Sequence, residues 1–210
     1  MKLCYVTDRK AFPGTAETQM RLLLEKIEDS VGVGVDWVQI REKDLEARVL
    51  WELVREAKRR VAGRARILVN DRLDVAIAAG AAGVHLGERS VRVADAKLFV
   101  EAHHAAGEFL VGVSTHSVEG VLAAQRGAAD YAIFGPVFET PSKLGYGLPQ
   151  GVEKLREVCR SVKMPVVAIG GITAENAKGC VEAGAAGTAA IRLFQDAQDL
   201  AAVVTALRGK

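Results

Sequence analysis

One loop of this 210-residue chain combines two hydroxyl groups with a lysine shortly after an apolar run. The run covers residues 131–134, and a Gly-Pro pair separates it from Thr140, Ser142 and Lys143. Because hydroxyls donate hydrogen bonds and an ammonium group supplies a point positive charge, this combination favours an anion such as a phosphate. Taken alone, the same residues are equally typical of a solvated loop with a lysine at its tip.

A second segment carries two cations and an amide at alternate positions. Gln39, Arg41 and Lys43 are spaced by two residues, so they share one face if the segment is extended. Two cations and an amide at one strand end would suit a pyrophosphate. The alternative is that Glu42 and Asp44 neutralise the two cations outside any site.

A carboxylate follows the apolar run 67–69. This run leads directly into Asn70 and Asp71. Mg²⁺ favours one or two carboxylates together with substrate oxygens and water, so Asp71 is a candidate Mg²⁺ ligand. The alternatives are that Asp71 caps the next helix or pairs with Arg72.

Two glycines near the end of the chain form a third candidate anion site. Gly170 and Gly171 stand shortly before Thr173, where we expect a helix to begin. Glycine lets backbone N–H groups approach an anion, and the helix dipole favours negative charge there. Arg192 follows the last apolar run and would add a bidentate clamp. A simple turn is the alternative.

The histidines differ in their surroundings. His116 follows Ser114 at the end of an apolar run, where an imidazole would act as an acid or base near neutral pH. Local hydrogen bonds explain this histidine equally well. We expect His85, inside another apolar run, to be packed in the interior, and His103 and His104 to lie on a helix surface.

The composition excludes several classes of protein. The formal net charge of +2 is too close to neutral to indicate nucleic-acid binding. The three cysteines are far apart and show neither disulfide nor metal-ligand spacing, which is typical of a reducing compartment. No apolar stretch reaches the roughly 20 residues that span a membrane. We expect a soluble cytoplasmic protein without a membrane partner, and the sequence leaves open whether it forms a homo-oligomer.

Short apolar runs alternate with helical patterns along the whole chain. Strands separated by single helices pair in parallel through right-handed crossovers. Eight such units predict an α/β fold, a closed (β/α)8 barrel forming a single domain over residues 1–210. Ligands bind such barrels where the strands end, which is where the polar residues above are found. The runs are residues 3–7, 37–40, 67–69, 84–86, 110–113, 131–134, 166–169 and 188–191.

Seven motifs occur in order at residues 38–43, 69–72, 83–87, 112–116, 129–131, 135–143 and 168–172. Together they resemble the thiamine phosphate synthase family and its close relative, the thiazole tautomerase. The resemblance implies a TIM barrel that uses Mg²⁺. It would be a transferase of thiamine biosynthesis that joins 4-amino-5-hydroxymethyl-2-methylpyrimidine diphosphate to 4-methyl-5-(2-phosphoethyl)thiazole, giving thiamine phosphate and pyrophosphate.

The resemblance also implies roles for individual residues. Cations would stabilise the departing pyrophosphate, because charge develops there in the transition state, and no protein nucleophile is needed. By motif, Gln39, Arg41, Lys43, Asn70 and Lys143 would hold the pyrimidine diphosphate, Asp71 would hold Mg²⁺, Thr140 and Ser142 would contact the thiazole phosphate, Ser114 would contact substrate, and Gly170 and Gly171 would supply backbone donors.

Two positions depart from the synthase pattern. Ser90 stands where a second Mg²⁺ carboxylate is expected, and either Glu88 or a water would have to fill that metal position. Arg192 stands where a serine touches the thiazole phosphate, and an arginine would either bind this phosphate more tightly or crowd it.

Two other functions remain as alternatives. The tautomerase uses a histidine at the position of His116 to shuttle a proton while it aromatises a thiazole carboxylate phosphate. That relative typically lacks the equivalents of Lys43 and Asp71, so their presence favours the synthase. The third possibility is a barrel that binds thiamine precursors without turnover.

Overall fold

The computed structural model of the chain describes residues 1–103, 109–140 and 148–209, and it contains a closed barrel of eight strands. Each strand pairs in parallel with the next, and the eighth pairs with the first, which confirms the predicted (β/α)8 TIM barrel. The strands are β1 (Lys2–Val6), β2 (Trp37–Ile40), β3 (Arg66–Asn70), β4 (Gly83–Leu86), β5 (Leu110–Thr115), β6 (Tyr131–Phe134), β7 (Val166–Ile169) and β8 (Gly187–Ala190). The helices are α1 (Ala16–Gly32), α2 (Ala47–Val61), α3 (Leu73–Ala78), α4 (Val93–His103), α5 (Val118–Arg126), α6 (Gly151–Ser161), α7 (Ala177–Glu182), α8 (Arg192–Gln195) and α9 (Leu200–Arg208).

The apolar side chains form two clusters, one on each face of the sheet. Successive strand residues point to opposite faces, so alternate residues fill the barrel and the others meet the helices. The outer cluster includes Leu3, Tyr5, Val38 and Ile40. The interior is therefore packed. The inner cluster consists of Cys4, Val6, Leu68, Tyr131, Ile133, Val167 and Ala189.

Helix α2 shows how the sequence directs this packing. Leu50, Leu53, Val54, Ala57 and Val61 recur at three- and four-residue spacing, and all five are buried. The opposite face carries ion pairs between charged residues one turn apart, which stabilise an exposed helix only weakly. Within the described ranges, no helix is both long enough and apolar enough to cross a membrane.

The helix start expected at Thr173 lies one turn ahead of the regular part of α7, which begins at Ala177, and the Ala177 N–H donates to the Thr173 carbonyl at 3.1 Å. Thr173 and Asn176 instead close a turn ahead of the helix. The Thr173 N–H donates to Asn176 Oδ1 at 2.9 Å, and the Asn176 N–H donates to Thr173 Oγ1 at 3.3 Å. The Asn176 side chain also donates to the Gly171 carbonyl at 2.8 Å, which ties this turn to the end of β7. The two reciprocal bonds between Thr173 and Asn176 have the pattern of a capping box, which satisfies backbone N–H groups at a helix N-terminus.

Candidate functional site

The end of β2 places an amide inside the barrel and a cation at its rim. Gln39 is buried, and its Nε2 donates to Asn70 Oδ1 at the end of β3 over 3.1 Å. Arg41 is half-buried, and Lys43 is exposed in the turn that follows the strand. The structure therefore joins Gln39 with Asn70, whereas the strand alternation that we expected as far as Lys43 ends at Ile40.

Thr7 at the end of β1 fixes the backbone at the start of this turn. Its Oγ1 accepts from the Arg41 N–H at 2.9 Å and donates to Glu42 Oε1 at 2.6 Å. One hydroxyl thus connects the cationic position to the buried carboxylate beside it.

Arg9 binds both carboxylates that were expected to neutralise the β2 cations. Its Nη1 lies 3.0 Å from Glu42 Oε2, and its Nη2 lies 2.6 Å from Asp44 Oδ2. Lys10 adds a contact of 3.0 Å to Asp44. Hydrogen bonds from Arg9 and Lys10 hold the pKa of the Asp44 carboxyl well below its usual range. Burial raises the pKa of Glu42, against hydrogen bonds from Thr7 and Arg9.

The consequence is that Arg41 and Lys43 keep their charges available. Neither side chain forms an ion pair with any residue that the structure describes. Neutralisation by Glu42 and Asp44, the alternative raised by the sequence, is therefore wrong. Two unpaired cations at the mouth of a barrel are suited to a multiply charged anion.

Asp71 has a backbone conformation that few side chains adopt. Its φ is +66°, in the left-handed region that aspartate tolerates better than most residues, and its N–H donates to the His85 carbonyl at 2.9 Å. Arg72 pairs with Asp74 rather than Asp71, and the start of α3 has no side-chain cap. Both structural roles considered for Asp71 are thereby excluded, and its carboxylate is exposed. Unusual φ values held by the surrounding structure are frequent at functional sites.

Ser90 lies against Asp71 although 19 residues separate the two in sequence. The Ser90 hydroxyl donates to Asp71 Oδ1 and accepts from the Gly87 N–H at 2.7 Å. The two residues proposed for metal binding are therefore neighbours on the loops after β3 and β4. The hydroxyl proton is used within the protein, and Asp71 Oδ2 has no hydrogen-bond donor among the described residues.

The residues around Asp71 could hold a divalent cation only together with oxygens from a substrate or water. Among the described residues, no group of three or more His, Cys, Asp or Glu side chains is placed to hold a metal ion. Mg²⁺ does not require such a group, because it binds through one or two carboxylates plus substrate phosphate oxygens and water. Asp71 supplies the carboxylate, so the residues present fit Mg²⁺ that arrives with a phosphorylated substrate.

His116 is oriented by the strand beside it. Its Nδ1 makes a hydrogen bond to the Gly135 carbonyl, and since a carbonyl oxygen only accepts, Nδ1 carries the proton. The unprotonated Nε2 then faces Glu88, whose Oε1 lies 3.7 Å away. The half-buried His116 ring thus presents Nε2 toward the loop after β4.

The polar interior below the mouth consists of His85, Ser114 and Tyr131. His85 Nε2 lies 2.9 Å from Ser114 Oγ, and Nδ1 lies 3.1 Å from the Tyr131 hydroxyl. Burial lowers the pKa of His85 to about 3, with Asp71 and Arg41 exerting smaller and opposite effects. His85 is the packed interior histidine that we predicted, and its imidazole is neutral.

Gly170 and Gly171 bring the end of β7 into close contact with the loop after β6. A Cβ at Gly170 would lie 2.5 Å from Pro136 Cβ, and one at Gly171 would lie 2.7 Å from Phe138 Cβ. Both glycines have positive φ. Neither of their N–H groups has an acceptor among the described residues. They therefore hold the β6 loop in place and still present two free backbone donors.

The remaining predicted residues are only partly described. Arg192 is exposed, begins the short α8 and forms no ion pair within the described ranges. Thr140 is half-buried. Ser142 and Lys143, named for phosphate binding, and His104 lie outside the described residues.

Sequence reasoning missed two residues that shape this site. Arg9 follows the first apolar run without a signal of its role, because its pairing with Glu42 crosses 33 sequence positions. Tyr131 was taken as an ordinary strand residue, although its hydroxyl enters the polar interior. The available signal for Tyr131 was Gly112, since a glycine within a strand often marks the close approach of another group.

Comparison with known proteins gives matches that extend over most of the chain. Residues 3–194 match a protein family described as thiamine monophosphate synthase. A thiamine-phosphate synthase of Methanosarcina barkeri is 39% identical over 172 residues, covering 82% of this chain and 76% of the relative. One from Moorella thermoacetica is 39% identical over 199 residues, covering 90% and 92%. The solved thiamine phosphate pyrophosphorylase from Pyrococcus furiosus has a TM-score of 0.83 at 32% identity, covering 99% of this chain and 94% of that one.

Proposed function

Since the chain belongs to the thiamine monophosphate synthase family, we propose that it couples 4-amino-5-hydroxymethyl-2-methylpyrimidine diphosphate with 4-methyl-5-(2-phosphoethyl)thiazole. The products are thiamine phosphate and pyrophosphate. One structural observation supports this proposal in addition to family membership. Within the part of the chain that the structure describes, Arg41 and Lys43 have no ion pair because Arg9 holds Glu42, and a diphosphate is the group that needs such cations.

The pyrimidine diphosphate binds over the ends of β2 and β3. The amides of Gln39 and Asn70, bonded to each other at 3.1 Å, provide donors and acceptors beside the polar interior. Arg41 and Lys43 bind the diphosphate oxygens, and Lys143 is the third cation that the sequence motif assigns to this group. This set places positive charge around the leaving group and neutral polar groups around the ring.

The reaction begins with cleavage of the bond between the pyrimidine methylene carbon and the diphosphate oxygen. The oxygen keeps the electron pair, and the thiazole nitrogen then donates its lone pair to the methylene cation. Negative charge grows on the leaving pyrophosphate, where Arg41, Lys43 and Lys143 stabilise it. Loss of one such preorganised group costs about 100- to 1,000-fold in rate.

Mg²⁺ bound at this site would neutralise part of the diphosphate charge. Asp71 would hold it through the oxygen that Ser90 does not engage. Ser90 holds that carboxylate in position and is a weak ligand itself. A site with one protein carboxylate depends more on substrate oxygens than a site with two, so metal and substrate bind together.

The thiazole phosphate binds between the ends of β6, β7 and β8. The N–H groups of Gly170 and Gly171, which have no acceptor among the described residues, are suited to phosphate oxygens, as backbone donors at this part of a barrel often are. Thr140 and Ser142 add hydroxyl donors. Arg192, exposed and without an ion pair in the described part of the chain, adds charge.

The test is a coupling assay in which each component is omitted in turn. Purified protein receives both phosphorylated precursors and Mg²⁺, and thiamine phosphate is quantified. We expect product only when all three are present. Thiamine phosphate formed without the diphosphate substrate, or none formed by correctly folded protein, would contradict the proposal.

A second function, thiazole tautomerisation, is favoured by the orientation of His116. The Gly135 carbonyl fixes the proton on Nδ1, so Nε2 is a base beside Glu88. Incubation with the thiazole carboxylate phosphate, without diphosphate or metal, tests this activity. Aromatisation by the wild type and its loss in His116→Gln would support it, and equal rates in both proteins would exclude His116 as the proton shuttle.

A further inference from the structure

Three polar side chains on adjacent strands form a continuous path from the barrel interior to its mouth. Tyr131 on β6 contacts His85 on β4 at 3.1 Å, and His85 contacts Ser114 on β5 at 2.9 Å. We call Tyr131, His85 and Ser114 the interior relay. Tyr131 and His85 are almost fully buried, whereas Ser114 is half-buried at the mouth. The relay therefore connects a buried phenol to a hydroxyl that a ligand can reach.

The Tyr131 ring packs into space that is open only because residue 112 is a glycine. Tyr131 lies opposite Gly112 in the β5–β6 register, and its ring occupies the volume where a Cβ of Gly112 would be. The Tyr131 and His85 rings are stacked, with centroids 5.6 Å apart and planes inclined by 29°. Any larger residue at position 112 would displace the phenol, so the Tyr131–His85 contact is a specific product of the packing.

His85 has a single ring proton to share between two partners. The ring is buried and both of its nitrogens contact hydroxyl groups, with no carboxylate bonded to it among the described residues, so the imidazole is neutral. A neutral imidazole donates from one nitrogen and accepts at the other. Of its two contacts, one must therefore be a donated hydrogen bond and the other an accepted one.

The Tyr131 hydroxyl determines which His85 ring nitrogen carries the proton. Burial raises the pKa of Tyr131 well above its ordinary value, so the hydroxyl stays protonated. Its only hydrogen-bond partner in the described part of the chain is His85 Nδ1. If Nδ1 carried the proton, the buried Tyr131 O–H would have no acceptor, which is a costly arrangement. Tyr131 therefore donates to Nδ1, and Nε2 carries the proton.

The proton on Nε2 sets the role of Ser114. Because Nε2–H donates to Ser114 Oγ, the serine O–H is free to point away from the relay. If Nδ1 carried the proton instead, the Ser114 O–H would donate to His85 Nε2, and Ser114 could only accept a hydrogen bond from a ligand.

We propose that Tyr131 and His85 are positioning residues that fix Ser114 as a hydrogen-bond donor to an acceptor atom of the bound substrate. The identity of that substrate rests on the proposed function. The pyrimidine diphosphate supplies acceptors of this kind in its ring nitrogens and its phosphate oxygens. The relay thus selects for an acceptor at this position and against a donor.

Nitrogen-15 NMR of the histidine side chains tests the relay in the protein without ligand. We expect His85 Nε2 to be protonated and Nδ1 unprotonated at neutral pH. A proton on Nδ1, or an averaged signal from both tautomers, would overturn the proposal. This measurement does not depend on any enzymatic activity, so it remains decisive if the proposed function fails.

Two conservative variants separate positioning from structure. Tyr131→Phe removes only the hydroxyl, and Tyr5→Phe is the matched control, since Tyr5 is equally buried and donates to Gln195 outside the relay. We expect Tyr131→Phe alone to disturb the His85 tautomer. We also expect it to raise the KM for the pyrimidine diphosphate about tenfold with little change in kcat, as the loss of one binding hydrogen bond would do.

The same effect should vanish when Ser114 is already absent. Ser114→Ala should raise KM to a similar extent, and adding Tyr131→Phe to it should change KM by less than about twofold, because coupled residues are non-additive. Independent, multiplicative effects of the two substitutions would show that Tyr131 does not act through Ser114. An unchanged His85 tautomer in Tyr131→Phe would overturn the proposal directly.

Discussion

Arg9 and Glu42 form a buried ion pair at the rim of the barrel, with Nη1 of Arg9 3.0 Å from Oε2 of Glu42. The side chains are 9% and 2% exposed, so the charges are largely removed from water. Glu42 stands between Arg41 and Lys43 in sequence, yet its charge is directed to the loop after β1. This pairing is what leaves a positive rim for a diphosphate.

Removal of Arg9 should therefore destabilise the protein. Arg9→Met leaves Glu42 buried without its counter-ion, which we expect to cost about 3–5 kcal/mol in the free energy of unfolding. Urea denaturation measures this loss. Adding Glu42→Gln should restore most of the stability, because the unpaired charge is then gone. If the double variant is as unstable as Arg9→Met, the ion pair is not the source of the effect.

Lys43→Ala should abolish most of the coupling activity without affecting folding. Lys43 is exposed and has no ion pair in the described ranges, so its removal leaves no unpaired charge behind. We expect kcat/KM to fall about 100- to 1,000-fold. Lys178→Ala is the control, since Lys178 is an exposed lysine on α7 whose partner is Glu182. Wild-type turnover in Lys43→Ala would remove this residue from the diphosphate site.

Ser90→Asp should strengthen Mg²⁺ binding. The new carboxylate would stand beside Asp71, where the two repel each other without metal and share it when metal is present. We expect a lower Mg²⁺ concentration for half-maximal activity and a larger rise of the thermal midpoint on adding Mg²⁺. Ser90→Ala loses the hydrogen bond to Asp71 and adds no ligand, so it should show neither effect. Identical Mg²⁺ titrations of wild type and Ser90→Asp would contradict this role.

Gly170→Ala should damage the site through the β6 loop. The new Cβ would lie 2.5 Å from Pro136 Cβ, and the residue has φ of +99°, so either the loop moves or the backbone is strained. We expect a loss of stability of about 1–3 kcal/mol together with a higher KM for the thiazole phosphate. Gly179→Ala in α7 is the control. It meets nothing within 4 Å and should leave stability unchanged or raise it by up to about 1 kcal/mol.

His85 should make the protein sensitive to acid. Its pKa of about 3 in the folded state lies below the ordinary value of 6.5, so between these values the unfolded chain binds the extra proton. The contribution of neutral His85 to the free energy of unfolding is therefore fully present above pH 6.5. It falls by about 1.4 kcal/mol per pH unit as the pH drops towards 3. Asp44 and Glu42 also titrate in acid, so the comparison is between wild type and His85→Gln. The difference between their unfolding free energies should shrink as the pH falls, and a constant difference would contradict the low pKa.

Much of the architecture could be predicted from the sequence, because parallel strands buried on both faces appear as continuous apolar runs. The runs at 37–40, 131–134 and 166–169 coincide with β2, β6 and β7, and the others differ by one or two residues at an end. At α7 the signal read from the sequence was the capping pair Thr173 and Asn176, and the regular helix follows at Ala177.

The sequence allowed several residues of the candidate site to be predicted, but not all of their interaction partners. Gln39 and Asn70, and Asp71 and Ser90, are brought together as their positions at neighbouring strand ends suggested. That Glu42 pairs with Arg9 and not with its neighbour Arg41 could not be predicted from residue spacing. The direction of the side chains across the turn determines the partner. Tyr131 was missed for a related reason, since an apolar run conceals one polar atom that points inward.

The most direct test of the central claim is a single-turnover measurement with enzyme in excess over the pyrimidine diphosphate. Thiamine phosphate and pyrophosphate are quantified from the same quenched samples. If the unpaired cations stabilise a leaving pyrophosphate that the thiazole replaces, both products should appear with one rate constant and in equal amounts. Pyrophosphate released without thiamine phosphate would indicate hydrolysis instead, and absence of both products from the folded, Mg²⁺-supplied protein would contradict the synthase.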